Sequence, residues 1–194
     1  MRPDLAEAAR VLEEGGLVAF PTDTVWGVLV RPDDPGAVAR VYRLKGRAAE
    51  RPLQLLVSDL EIARALLPEG YRDPRFAALT ERFWPGPLTL VVPAGRSFPA
   101  IGAHRTLGLR LPDHPELREL LREVGGYAAA TSLNRSGEPP VRTEAEARAF
   151  PVDRVVPGPP PPGRASSVVD LVRGRILRAE AVPAEALAPY LEEG

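Results

Sequence analysis

Apolar and polar positions alternate along the chain in two registers. Leu5–Glu14 repeats at helical spacing and stops at Gly15-Gly16, so an amphipathic helix is predicted there. Leu17-Val18-Ala19-Phe20 is a short buried strand ending at Pro21, and Val25–Val30 is a second apolar run beyond a polar turn. Pro35–Leu44 carries Val38, Val41 and Tyr42 on one helical face. Leu53–Val57 is a strand, and Ser58-Asp59 caps a helix over Leu60–Leu67. Pro74–Phe83 is helical, Leu88–Val92 and Leu107–Leu111 are strands, Glu116–Val124 is a helix, and Tyr127–Ala130 is a strand of small residues. A short helix at Glu144–Ala149 and a strand at Val152–Val156 precede the stiff loop Pro157–Gly163. Ser167–Val172 and Arg175–Leu177 read as a hairpin, and Ala184–Glu192 as a terminal helix. Strands and helices intermix at irregular spacing. The fold class expected is therefore α/β: a single domain over residues 1–194, with a twisted mixed sheet flanked by helices rather than a doubly wound parallel one.

Composition narrows the function. The 194 residues carry a net charge of −1, which argues against a protein that coats nucleic acid but permits a local basic groove. No apolar run approaches the ~20 residues of a membrane span, and the first residues hold no apolar signal core. With no cysteine, disulfide and thiolate chemistry are excluded, and the cytoplasm is the default location. Two histidines, His104 and His114, cannot by themselves make a zinc site, so no metal-ligating residues are assigned. There is no Walker A loop, no Gly-x-Gly-x-x-Gly and no nucleophile elbow.

Four polar clusters stand at or beyond strand ends, where α/β proteins place ligands: Pro21–Gly27, Lys45-Gly46-Arg47 with Arg51, Thr131–Gly137 and Gly163–Asp170. Each has a plain structural explanation as a turn, a loop or a helix end. Lys45 is set apart because it is the one lysine among 25 basic residues. As an exposed cation at a helix end it would contribute only about 0.3–1 kcal/mol. As a compact point charge it suits a phosphate, beside arginine forks that serve planar anions.

The order of motifs is more specific than any one of them. Pro21-Thr22-Asp23-Thr24-Val25-Trp26-Gly27, Lys45-x-Arg47, Trp84-Pro85-Gly86-Pro87-Leu88-Thr89, Arg110-x-Pro112-x-His114-Pro115, Ser132-x-Asn134 and Gly163-x-x-Ser166-Ser167-Val168-Val169-Asp170 follow one another over about residues 5 to 180. In this the chain resembles the YrdC/TsaC family of threonylcarbamoyl-AMP synthases, in a short bacterial form.

The resemblance implies an enzyme with a concave basic groove that joins L-threonine, bicarbonate or CO2, and ATP into threonylcarbamoyl-adenylate and pyrophosphate. Magnesium would be carried on the phosphates, and the product would pass to a tRNA threonylcarbamoyl transferase complex. Lys45, Arg47, Ser132 and Asn134 would do the catalytic work. Thr24, Arg110, Ala130 and Ser166 would hold threonine. Arg51, Thr106 and Arg178 would join Lys45, Arg47, Ser132 and Asn134 on ATP. The chain departs from the family pattern at Trp26, which would widen an aromatic pocket wall, and at Ala48, Thr131 and Pro140. It also has Leu56 where longer relatives carry a threonine-side histidine. The alternative implied is a nucleotide- or RNA-binding paralogue without synthase activity, making at most weak RNA contact.

Overall fold

The computed structural model describes residues 1–46 and 51–192. Its helices are α1 (Pro3–Glu13), α2 (Pro35–Lys45), α3 (Leu60–Ala65), α4 (Pro74–Phe83), α5 (Pro115–Glu123), α6 (Glu144–Arg148) and α7 (Ala184–Leu187). Its strands are β1 (Val18–Pro21), β2 (Trp26–Val30), β3 (Gln54–Val57), β4 (Leu88–Pro93), β5 (Thr106–Arg110), β6 (Tyr127–Ser132), β7 (Arg154–Val155), β8 (Ser167–Asp170) and β9 (Arg175–Arg178). Proline supplies the first residue of α1, α2, α4 and α5, where a missing N–H costs nothing. The side chains of Asp34, Asp73 and His114 cap the last three of these.

All nine strands form one sheet in the order β7-β1-β2-β6-β3-β5-β4-β8-β9. The pairs β1–β7, β3–β5 and β4–β8 are parallel and the other five antiparallel, so the sheet is mixed, as expected. One face is buried along its whole width by α2, α3, α4, α6 and α7, whose Val38, Val41, Ala63, Leu79, Ala147 and Leu187 share a core with Val28, Leu55, Leu90 and Leu109. Among the described residues, the other face is covered only by α1 and α5. Leu5, Leu12, Leu117, Leu120 and Leu121 pack there on Val18, Phe20, Leu29, Leu56 and Ala128. Each such leucine is fully buried, contributing about 1.5–3 kcal/mol by leaving water. These two helices meet β7, β1, β6 and β3. Among the described residues, the half-face made by β5, β4, β8 and β9 therefore has no helix packed on it.

Several elements are shorter than the sequence pattern implies, among them β8, which ends at Asp170 rather than Val172. Pro189 cannot donate to an α-helical ladder, so α7 ends at Leu187 and passes into a 3₁₀ turn, Ala188–Tyr190. The helix expected to reach Leu67 stops at Ala65, just before Pro68. Only Arg154 and Val155 of the expected Val152–Val156 strand pair with β1.

His114 links this architecture to pH. Its Nδ1 accepts the Leu117 N–H at 3.3 Å, and its ring meets Phe20 edge-on at 5.1 Å. Burial pushes its pKa below the ordinary 6.5, partly opposed by the nearby carboxylates of Asp23 and Glu116. The neutral ring thus contributes stability that is complete above the unfolded value and lost as pH falls through the lower folded value. Urea denaturation of His114→Asn, which keeps a capping acceptor, should show a smaller loss of stability between about pH 8 and about pH 5 than the parent chain.

Candidate active site

The open half-face is polar because its strands alternate. Leu90, Val92, Leu107, Leu109 and Val169 point into the core. Thr89, Val91, Thr106, Gly108, Arg110, Val168 and Asp170 point the other way, aligned across β4, β5 and β8 by the strand register. They floor a cavity of about 490 Å3, whose walls are Thr22 and Thr24 on one side and Ser166, Arg173 and Arg178 on the other. That size suits a small-molecule ligand.

Arg110 is the pivot of this floor. It stands at the end of β5, only 2% exposed. Its Nη1 donates to Asp23 Oδ1 at 2.7 Å, and its Nη2 to Thr24 Oγ1 at 3.4 Å. Asp23 is held in turn by the Asp113 N–H at 3.0 Å. The Thr22 hydroxyl donates to the Val25 carbonyl at 2.6 Å and accepts the Val25 N–H, locking the β1–β2 turn that presents Asp23 and Thr24. Arg110 Nε is buried without a hydrogen-bond partner in the protein. An orphaned guanidinium N–H costs about 1–3 kcal/mol, which an arriving acceptor would recover.

Across the cavity, Arg178 Nε donates to the Ser166 carbonyl at 2.8 Å and its Nη2 to Ser166 Oγ at 3.3 Å. Ser166 Oγ lies 2.9 Å from Thr89 Oγ1, which donates to Gln54 Oε1 at 2.8 Å. The neighbouring Ser167 hydroxyl accepts the N–H groups of Glu180 and Val182, fastening the chain after β9.

Lys45 is not the exposed helix-end cation that its position suggested. Gly46, at φ 64°, ends α2, and the lysine side chain turns inward until it is 3% exposed. Its ammonium donates to Asn134 Oδ1 at 2.6 Å, the Ser132 carbonyl at 2.8 Å and Ser132 Oγ at 3.2 Å. Ser132 Oγ also donates to Asn134 Oδ1 at 2.6 Å, and Asn134 Nδ2 to the Glu138 carbonyl at 2.6 Å. The motif residues Lys45, Ser132 and Asn134 are therefore one cluster, joined to the cavity through Ser132.

Of the residues expected to bind ligands, Thr24, Thr106, Arg110, Ala130, Ser132, Ser166 and Arg178 all line the cavity. Arg51 is exposed outside the lining, beside Pro52 and Leu53, which belong to it. Arg47 and Ala48 lie outside the described residues. Leu56 and Thr131 line the cavity, whereas Pro140 does not. The expectation for Trp26 is corrected. Its neighbour Gly27 faces the cavity, and strand alternation turns the indole into the opposite core, wholly buried. Asp23, Gln54 and Thr89 were not assigned from sequence. Asp23 and Thr89 sit inside quoted motifs, but their partners are fixed by register and tertiary packing. Among the described residues no group of three His, Asp or Glu side chains could hold a metal ion.

With this geometry in view, comparison with known proteins is informative. A sequence model of the Sua5/YciO/YrdC family, described by the words "Telomere recombination", matches residues 10–180. A threonylcarbamoyl-AMP synthase of Chromohalobacter salexigens is 40% identical over 147 residues, 75% of this chain and 78% of that protein. One of Bacillus subtilis is 37% identical over 171 residues, covering 87% of this chain but 46% of the longer relative. The crystal structure of P. abyssi Sua5 complexed with L-threonine superposes with a TM-score of 0.88 at 32% identity, over 97% of this chain and 57% of that one. E. coli YciO shares the fold, with a TM-score of 0.82 at 19% identity. From the breadth of the sequence match and the agreement in fold, this chain belongs to the Sua5/YciO/YrdC family.

Proposed function

We propose that this chain is an L-threonylcarbamoyladenylate synthase, a nucleotidyltransferase that works on ATP, L-threonine and bicarbonate or CO2. The observation that carries the reading is Arg110, a cavity-lining residue whose guanidinium is paired to Asp23 through Nη1 and whose buried Nε has no hydrogen-bond partner in the protein. A carboxylate entering the cavity would meet the Arg110 guanidinium while Asp23 keeps Nη1. Thr24, Ala130 and Ser166 leave a small, partly polar space around it, suited to the rest of a threonine molecule. Relatives at up to 40% identity that bear the synthase name support the assignment.

In this reading the threonine amine adds to CO2 with loss of a proton, or condenses with bicarbonate with loss of water, and the carboxylate so formed attacks the α-phosphate of ATP with release of pyrophosphate. The chain's part is to place the two substrates and neutralise charge. Arg178, Thr106 and the Lys45–Ser132–Asn134 cluster would serve ATP, with Arg47 and Arg51 as further cations. Asp170 Oδ1 accepts from the N–H groups of Val172 and Arg173, and its Oδ2 from the Arg173 guanidinium. Magnesium would enter with the ATP phosphates, whose charge it would shield. The product would be handed to a tRNA threonylcarbamoyl transferase complex. Pyrophosphate release should require ATP, threonine and bicarbonate together, with leucine unable to replace threonine. A chain that binds ATP and releases no pyrophosphate under these conditions would be a non-synthase member of the family.

Lys45 combines two roles in this account. Removing its ammonium strands acceptors of Ser132 and Asn134, so Lys45→Ala should lose about 2 kcal/mol and roughly 4–8 °C in melting temperature. The same change should lower pyrophosphate release by about a hundredfold at temperatures where the variant is folded. Lys45→Arg should also be impaired, because a planar fork cannot meet three convergent acceptors. Full activity in a folded Lys45→Ala would make the lysine a structural clasp alone.

A further inference from the structure

The line of hydroxyls beside Arg178 has a direction. Gln54 Oε1 can only accept, so the single hydrogen of Thr89 Oγ1 is committed to it across 2.8 Å. In the 2.9 Å contact between Thr89 and Ser166, Ser166 must therefore be the donor. Arg178 Nη2 has only hydrogens to offer, so Ser166 Oγ accepts from it at 3.3 Å. Ser166 thus spends its one hydrogen on Thr89 and one lone pair on Arg178. What remains on its oxygen is a lone pair. Thr89 and Ser166 are each only 4% exposed, so water is poorly placed to compete for these bonds, and both side chains line the cavity.

We infer that Thr89 and Gln54 are positioning residues that make Ser166 an acceptor, so that the Ser166 oxygen reads an N–H or O–H donor of the amino-acid substrate. The inference rests on the synthase reading and divides the threonine site by charge. Carboxylate chemistry belongs to Arg110, and donor chemistry to Ser166. The division suits the reaction. An amine that must attack CO2 needs its lone pair free, and a serine able to donate would tie that lone pair up. A serine held as an acceptor can take an amine or hydroxyl hydrogen and leave the nucleophile available. Thr89 would shape the site without touching the substrate.

Calorimetric titration of threonine and, separately, of ATP tests this on the full chain. Thr89→Val keeps the side-chain volume and removes the hydroxyl, so Ser166 becomes free to turn its hydrogen outward. Threonine affinity should fall about tenfold, with ATP affinity changed by less than about twofold. Thr89→Ser restores the hydroxyl and should bind threonine within about twofold of the parent. In a Ser166→Ala background Thr89→Val should have no further effect, because its action passes through Ser166. Melting curves establish that each variant is folded. Unchanged threonine affinity in Thr89→Val, an equal loss in the Ser166→Ala background, or a matching loss for ATP overturns the inference. A parent chain that binds no threonine overturns the synthase reading together with this inference, whereas a parent that binds it alongside an unaffected Thr89→Val overturns the inference alone.

Discussion

Two helices cannot cover nine strands. Neighbouring strands lie about 4.8 Å apart, so a nine-stranded sheet is roughly 38 Å wide, while two helices packed side by side span about 20 Å. On one face of this sheet five helices share the burial. On the other, α1 and α5 take the β7-to-β3 end, and four strands are left with one side open. The composition of those strands follows from that imbalance. Their covered positions are leucine and valine, and their open positions are largely threonine, glycine, arginine and aspartate.

An open half-face does not by itself make a site. A guanidinium with 2% exposure needs a counter-charge, and Asp23 supplies it from a turn locked by Thr22. The ion pair therefore fixes the β1–β2 turn against β5, and with it the position of Thr24. On the far side, the hydrogen bonds of Ser166 and Ser167 hold β9 and the chain beyond it, which places Arg178. The Lys45 cluster does the same between α2 and the end of β6. Each wall of the cavity is thus held by bonds to a different part of the chain, so the space is prepared before a ligand arrives.

Much of this was legible in the sequence, for physical reasons that differ by element. The α/β class and most strands followed from period-two and period-3.6 patterns, and the motif order marked seven residues that line the cavity. What could not be read was which side of each strand is open, because that depends on where α1 and α5 land. Trp26 was misplaced for this reason, since its motif neighbours a ligand wall while its own side chain faces the core. Lys45 was read as a phosphate ligand at a helix end, and its burial against Ser132 and Asn134 was not legible because those acceptors lie 87 and 89 residues further along. Thr89 and Gln54 meet only through strand register, which no local pattern encodes. The overlong terminal helix was a legible error, because Pro189 was there to be weighed against the apolar spacing.

If the synthase reading holds, the uncovered half-sheet built around Arg110 is where the amino acid and the nucleotide meet. A crystal structure of the chain grown with threonine and ATP tests it most directly. The threonine carboxylate is expected about 3 Å from the Arg110 guanidinium, with the α-phosphate of ATP on the same open face. Threonine seated elsewhere, for example in the cleft between α3 and α4 lined by Arg64, Tyr71 and Arg72, would contradict it.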